Sequence, residues 1–150
     1  MEGVMRRVRF LGLVLAAGGI SPAVAAPAWT PAENDVPLKI VEINRTKTAT
    51  EVRIQTSEAM KEACWSMAGP NSPYLLAAER RYRLIGGEGI AACPKSRSYA
   101  EGGTMVLRFE PLKPGVKEFS LIEGVGGESA LLDPDSATRR YWNFLHIKVE

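Results

Sequence analysis

Seven short runs in which apolar and polar residues alternate constrain the fold of this chain more than any other feature. Apolar residues at every second position indicate half-buried strands, and the Gly-, Pro- and Asn-rich connections between them indicate turns. The runs cover residues 38–44, 50–56, 74–77, 82–85, 104–112, 117–123 and 141–149. No segment carries a long helical period. The pattern predicts an all-β protein, an antiparallel immunoglobulin-like β-sandwich of about seven strands, with a small β-barrel as the alternative.

Strict alternation also predicts which side chains share a face of the sheet. In the first run it places Leu38 on the same face as Glu42, with Ile43 on the opposite face. In the last run it places Phe144, as a core or edge-covering residue, on the same face as His146.

Three irregular segments are assigned different roles. Residues 57–63 are polar and are expected to form one or two helical turns, because a glutamate near their start and a lysine near their end suit the helix dipole. Residues 93–103 are expected to form a loop. The glycines within residues 86–89 are expected to supply positive φ for a tight turn or a bulge.

The N-terminus has the organisation of an export signal. Arginines at positions 6, 7 and 9 precede eleven apolar residues, 10–20, and small residues follow. That apolar run is far shorter than the ~20 residues of a membrane-spanning helix. We predict cleavage after Ala25, because cleavage after Ala26 would leave Pro27 directly behind the cut.

Cleavage there divides the chain into a signal peptide, an extended leader and one domain, which cover residues 1–25, 26–36 and 37–150. The predicted location is the periplasm or the exterior, with no transmembrane anchor. Arg6 and Arg7 resemble a twin-arginine signal, but Arg9 interrupts the usual pattern, so the general and twin-arginine routes both stay open.

The signal peptide also carries the excess positive charge of the chain. Its removal takes away three of 19 basic residues and one of 17 acidic residues, which leaves 16 of each. A neutral domain has no overall attraction for nucleic acid or for anionic lipid, so a nucleic-acid partner is not expected.

The two cysteines, Cys64 and Cys93, both lie in the exported part. An even number of cysteines in an oxidising compartment indicates a disulfide. Reactive redox pairs are usually close in sequence, whereas these two are 29 positions apart, so a structural bridge is favoured. Free thiols and redox catalysis are the alternatives.

The remaining motifs do not predict a catalytic, cofactor or metal site. Gly124 begins a glycine-rich segment, but position 129 is serine and Pro134 ends any helix at once, so a nucleotide cradle is not expected. A single histidine, His146, excludes most histidine-based zinc sites and is expected to be a paired or half-exposed strand residue. The carboxylates on either side of Pro134 are more typical of a helix entry than of calcium binding.

Several segments together resemble a β-sandwich module of bacterial envelope proteins. The resemblance implies a non-catalytic domain, sometimes placed beside thioredoxin-like or protease domains, and it implies no active-site residues and no cofactor. The matching positions are Tyr82, Leu84, Gly86, Glu88, Gly89, Ile90, Phe109, Pro111, Leu112, Gly115, Phe119, residues 121–124 and Trp142.

The expected function is therefore that of an exported, non-enzymatic module of the cell envelope. Its partner is expected to be a protein or another envelope component. A periplasmic protein that binds a small ligand or a metal with its glycine loops is one alternative. An exported redox factor that uses Cys64 and Cys93 is the other.

Overall fold

The described part of the chain is built from antiparallel strands. The computed structural model describes residues 30–31, 37–123 and 143–150, and these ranges contain strands and no helix. The cleavage site at Ala25 and Ala26, the glycine-rich segment from Gly124 and the residues around Pro134 lie outside them. The strands are β1 (Thr30–Pro31), β2 (Leu38–Arg45), β3 (Thr50–Thr56), β4 (Met60–Ala63), β5 (Tyr74–Ala77), β6 (Arg80–Glu88), β7 (Arg97–Tyr99), β8 (Thr104–Phe109), β9 (Glu118–Ile122) and β10 (Phe144–Lys148).

Eight of these strands form one curled sheet in the order β1–β10–β9–β5–β6–β8–β3–β2. The long strand β6 belongs to both halves of the sheet: its first residues pair with β5 and its last residues pair with β8. The register with β8 shifts between Leu84 and Gly86, so the strand turns there from one half to the other. Strands that change sheets through a bulge are a usual way to close a sandwich. The expected positive φ in this segment is found at Gly89, beyond the end of β6, and not at Gly86 beside the bulge.

Both halves of the sheet bury their inner faces in one core, which confirms the predicted all-β antiparallel fold. All seven predicted strands are present, with ends that differ by a few residues. The largest side chains below 2% exposure are Trp65, Tyr82, Phe109, Phe119, Ile54, Leu75, Met105, Leu107, Leu121, Ile122, Ile147 and Val52.

A bulge in β2 corrects the faces predicted by strict alternation. The register with β3 shifts between Ile40 and Glu42, which makes Val41 an extra residue. Beyond it, Ile43 packs against the core and Glu42 is exposed, so the prediction that Glu42 shares a face with Leu38 is wrong. An extra residue in one strand moves each later side chain to the opposite face.

A second bulge has the same effect in β10. The register with β9 shifts between Phe144 and Ile147, and His146 has a positive φ of 54°. Phe144 and Ile147 are therefore both buried while His146 is exposed. The predicted core position of Phe144 is confirmed, but its shared face with His146 is wrong.

The segment expected to be helical forms a strand instead. β4 pairs with β7 in a separate two-stranded sheet, so residues 57–63 are not helical and the loop at 93–103 contains a strand. An isolated helix of one or two turns is marginal in water, whereas pairing with β7 satisfies backbone groups and buries Ala63 and Tyr99. The expected leader contributes the short edge strand β1, which pairs with β10.

Gly89 directly follows β6, at a position where the neighbouring backbone leaves no room for a side chain. Its φ is +69°, and a Cβ there would lie 2.9 Å from the carbonyl oxygen of Thr104. Gly102 has a similar φ of +78°, but a Cβ at that position would meet no other part of the protein within 4 Å.

We expect Gly89→Ala to lower the free energy of unfolding by about 2 kcal/mol or more, and Gly102→Ala by about 1 kcal/mol, because the second change adds backbone strain without a clash. Urea denaturation of both variants measures the difference, and equal losses would contradict it.

Candidate interaction surface

The curled sheet has two edges, and they differ in length. One edge is β1, which has two residues, and the other is β2, which has eight. β2 pairs with β3 on one side, and no described strand pairs with its other side. We refer to that outer side of Leu38–Arg45 as the β2 edge. Main-chain donors and acceptors on such an edge are able to bind an added strand.

The hydrogen bonds around β3 establish which residues of β2 direct their backbone groups outward. Ser57 donates its N–H to the carbonyl oxygen of Pro37 at 2.9 Å, so its backbone groups point toward β2. Thr56, which lies opposite Leu38, instead donates its N–H to the carbonyl oxygen of Gly103, on the β8 side. Residues of antiparallel strands alternate between bonded and non-bonded pairs. Because Leu38 is opposite Thr56 and Val41 is an extra residue, this alternation continues along β2 with one step of three. The residues whose backbone groups face the β2 edge are therefore Leu38, Ile40, Ile43 and Arg45.

The side chains along the β2 edge are mixed in character. Lys39 and Glu42 are exposed and have opposite charges, and Asn44 follows on the same outer surface. Val41, the bulge residue, is 37% exposed and is one of two large apolar side chains that the described chain leaves open. The other is Ile85 on β6, at 54%.

Arg45 fixes the end of β2 to the opposite side of the core. Its guanidinium donates to the carbonyl oxygen of Val116 at 2.9 Å and to that of Lys113 at 3.0 Å. These contacts connect β2 to the turn before β9, which is distant in sequence. The β2 edge is therefore held in place at its C-terminal end.

The outer surface of the sheet beside the β2 edge is an ion-pair row whose charges compensate one another. Glu42 pairs with Arg53 across β2 and β3 at 2.8 Å. Glu51 pairs with Arg108 across β3 and β8 at 2.7 Å, and Arg108 also contacts Glu88. The row leaves little net charge to attract a charged polymer.

The arginines at the β5–β6 hairpin also contact neighbouring side chains. The guanidinium of Arg81 lies 4.5 Å from the ring centre of Tyr74, and that of Arg80 lies 5.0 Å from that of Tyr82. Arg83 binds Glu110 with both its side chain and its backbone N–H. Glu110 thus satisfies the main chain of β6 where that strand changes sheets.

The carboxylate of Glu110 makes the stability of the fold depend on pH in the acid range. The hydrogen bonds from the Arg83 side chain, followed by that from its backbone N–H, hold the pKa of Glu110 below its ordinary 4.5. This contribution to stability is complete above pH 4.5 and is lost as the pH falls through the lower folded-state pKa. We expect Glu110→Gln to make the decline of Tm below pH 4.5 shallower than in the parent protein. Glu101→Gln, at an exposed carboxylate without an ion pair to any described residue, is the control and should leave the decline unchanged.

The two cysteines form the predicted bridge. Cys64 and Cys93 are disulfide-bonded with a Cα–Cα distance of 5.2 Å, and no free cysteine exists in the chain. The neighbouring backbone is also joined: Trp65 donates its N–H to Ala91, and Cys93 donates its N–H to Trp65, both at 2.9 Å. The bridge holds the connection after β4 against the connection before β7, and Trp65, the next residue after Cys64, is fully buried.

His146 is a paired strand residue, as predicted. Its Nδ1 lies 2.9 Å from a carboxylate oxygen of Glu118, and its backbone N–H donates to the hydroxyl of Ser120 at 3.1 Å. The side chains of the pair are about half exposed. Among the described residues, no group of three or more His, Cys, Asp or Glu side chains is placed to hold a metal ion.

Comparison with protein-family models, with curated proteins and with solved structures gives no match to this chain. The resemblance to envelope β-sandwich modules therefore stays a prediction from the sequence motifs. Within the described ranges, no helix is long and apolar enough to cross a membrane.

Proposed function

We propose that this protein is an exported, non-enzymatic β-sandwich module of the bacterial cell envelope that binds a protein through the β2 edge. One observation carries the proposal: an eight-residue edge strand, held in place by Arg45, presents main-chain groups that no described strand pairs. Strand addition to an open sheet edge is a common mode of protein recognition.

The exported location is supported by two features that are far apart in sequence. Residues 1–25 have basic, apolar and small-residue regions in the order of a signal peptide. The Cys64–Cys93 disulfide is the kind of bond that persists in an oxidising compartment. Its position directly before the fully buried Trp65 in the chain supports a structural role for the two cysteines.

The proposed binding divides affinity and specificity between different groups. Main-chain hydrogen bonds to the outward amides of β2 supply affinity that does not depend on the partner's side chains. The exposed side chains of Lys39, Val41 and Glu42 then favour a partner with complementary apolar and charged positions. No covalent chemistry is required of this surface.

Photocross-linking in living cells tests the proposed surface. A photoreactive amino acid replaces Val41 in one variant of the full chain and Ile85 in a matched variant, since both positions are exposed and apolar. We expect the Val41 variant to form a discrete protein adduct in the envelope fraction and the Ile85 variant to form none. An adduct at Ile85 alone, or at neither position, would contradict binding through the β2 edge.

A further inference from the structure

Three connections of the chain lie together at one end of the curled sheet. They are the β2–β3 turn, the β5–β6 turn and the segment from β8 to β9. Arg45 joins the first to the third through the carbonyl oxygen of Lys113, and the N–H of Glu110 joins the third to the second through the carbonyl oxygen of Arg83. The C-terminal end of β10 lies at the same end of the sheet, beside the start of β9.

Six exposed cations at this end of the sheet have no ion pair with any residue that the structure describes. One is in the β2–β3 turn, two begin β6, two are in the segment from β8 to β9, and one ends β10. We refer to these six side chains as the basic end: Lys47, Arg80, Arg81, Lys113, Lys117 and Lys148.

The acidic side chains near the basic end do not balance its charge. Glu110 is bonded to Arg83, and Glu118 contacts His146. Within the described ranges, this leaves Glu79 and Glu150 opposite the six cations, an excess of four positive charges. The exported part of the chain has equal numbers of basic and acidic residues, so its neutrality conceals a field of one sign at this end.

The two arginines of the basic end are held in place without losing their hydrogen-bond donors. Arg81 stacks on the ring of Tyr74 at 4.5 Å, and Arg80 stacks on the ring of Tyr82 at 5.0 Å. Stacking occupies a face of the guanidinium and leaves the N–H groups at its edge, which donate to no described residue. A planar guanidinium with such donors fits two oxygens of a phosphate group.

We propose that the basic end docks on an anionic phospholipid surface of the cell envelope, where its cations bind phosphate headgroups. The cations come from four separate segments at one end of the sheet, which suits many headgroups side by side better than one small anion. Four of the six are lysines, whose flexible side chains adapt to headgroups that have no fixed positions, whereas an acidic protein surface has fixed ones.

The docking is expected to be reversible and sensitive to salt. Each Lys or Arg close to an anionic membrane strengthens binding by about fivefold, and the attraction falls off within a Debye length. The basic end shares no residue with the β2 edge. The inference therefore goes beyond the proposed function, and failure of either one leaves the other standing.

Co-sedimentation of the processed, oxidised protein with lipid vesicles tests the docking. We expect binding at low salt to vesicles that contain phosphatidylglycerol, and none to vesicles of phosphatidylcholine alone. Binding should be lost near 1 M salt, where the Debye length is about 3 Å. Inorganic phosphate should displace no more protein than chloride of equal ionic strength, because a single anion reaches few of the six cations.

Two double variants separate the basic end from the charge of the whole protein. Lys113→Gln with Lys117→Gln should weaken vesicle binding by about tenfold or more. Lys61→Gln with Lys95→Gln removes the same charge from exposed lysines on and beside the small β4–β7 sheet, and should change binding by no more than about twofold. All four side chains are exposed and without an ion pair to a described residue, so both variants should keep the Tm of the parent protein.

Four results would each overturn the inference. The protein fails to bind phosphatidylglycerol vesicles at low salt, or it binds phosphatidylcholine vesicles equally well. Both double variants lose binding to the same extent, which would assign the attraction to net charge. Inorganic phosphate displaces the protein more than chloride does, which would indicate a site for one small anion.

Discussion

Removal of the Cys64–Cys93 disulfide is expected to lower the free energy of unfolding by about 3–4 kcal/mol. The bridge closes a loop across 29 positions, and an open chain regains the loop-closure entropy when it unfolds. Because that loop contains β5 and β6, the bridge restricts a large part of the sheet in the unfolded chain. Urea denaturation of the oxidised and the reduced protein measures the loss.

The double variant Cys64→Ala, Cys93→Ala is the matched control for reduction. It should show the same loss as the reduced parent protein, and a reducing agent should then have no further effect on it. A loss below about 1 kcal/mol in both samples would contradict a structural role for the bridge.

Trp65→Ala is expected to have an effect of similar or greater size. The indole is fully buried in the hydrophobic core, and its removal leaves a cavity there. Truncation of a large aromatic side chain in a core usually costs ~3–5 kcal/mol. Equilibrium unfolding in urea, followed by far-UV circular dichroism, measures the change without depending on tryptophan fluorescence.

Two further variants keep that prediction interpretable. Trp65→Phe retains much of the buried area and should cost less than Trp65→Ala, so it reports on the site even where the alanine variant fails to fold. Ile85→Ala removes an apolar side chain that is 54% exposed and should change stability by no more than about 0.5 kcal/mol. Equal effects at the two positions would mean that Trp65 is not part of the core.

Alternation and turn signals were sufficient to predict the seven main strands and the all-β fold. The runs from Leu38 and from Thr104 alternate because one face of each strand meets the core, and this signal is local in sequence. The disulfide was predictable for a different reason, since the number of cysteines leaves one intramolecular pairing.

The bulges in β2 and β10 were not predictable from the same signals. A bulge adds one residue without a compositional marker, and neither Val41 nor His146 is a residue type that typically marks one. Strict alternation therefore misplaced Glu42 and His146. The glycines after β6 did mark a backbone irregularity, since Gly89 has a positive φ, but the register shift itself lies earlier, between Leu84 and Gly86.

The small sheet and the β2 edge depend on contacts between distant parts of the chain. β4 forms because β7 lies beside it, and its own sequence of polar residues favoured a helical turn.

The Ala78–Glu79 turn has positive φ at both residues without glycine or asparagine, so local composition did not mark its type. Which strand ends the sheet follows from the strand order, and no local pattern in β2 reports it.

The most direct test of the central claim, that an exported protein binds through β2, is the intact mass of the adduct formed at Val41 in living cells. The account predicts an adduct from the envelope fraction in which this chain lacks residues 1–25 and two hydrogens, and is joined to a second protein chain. Recovery of the full-length, reduced chain from the cytosol, with no adduct at Val41, would contradict it.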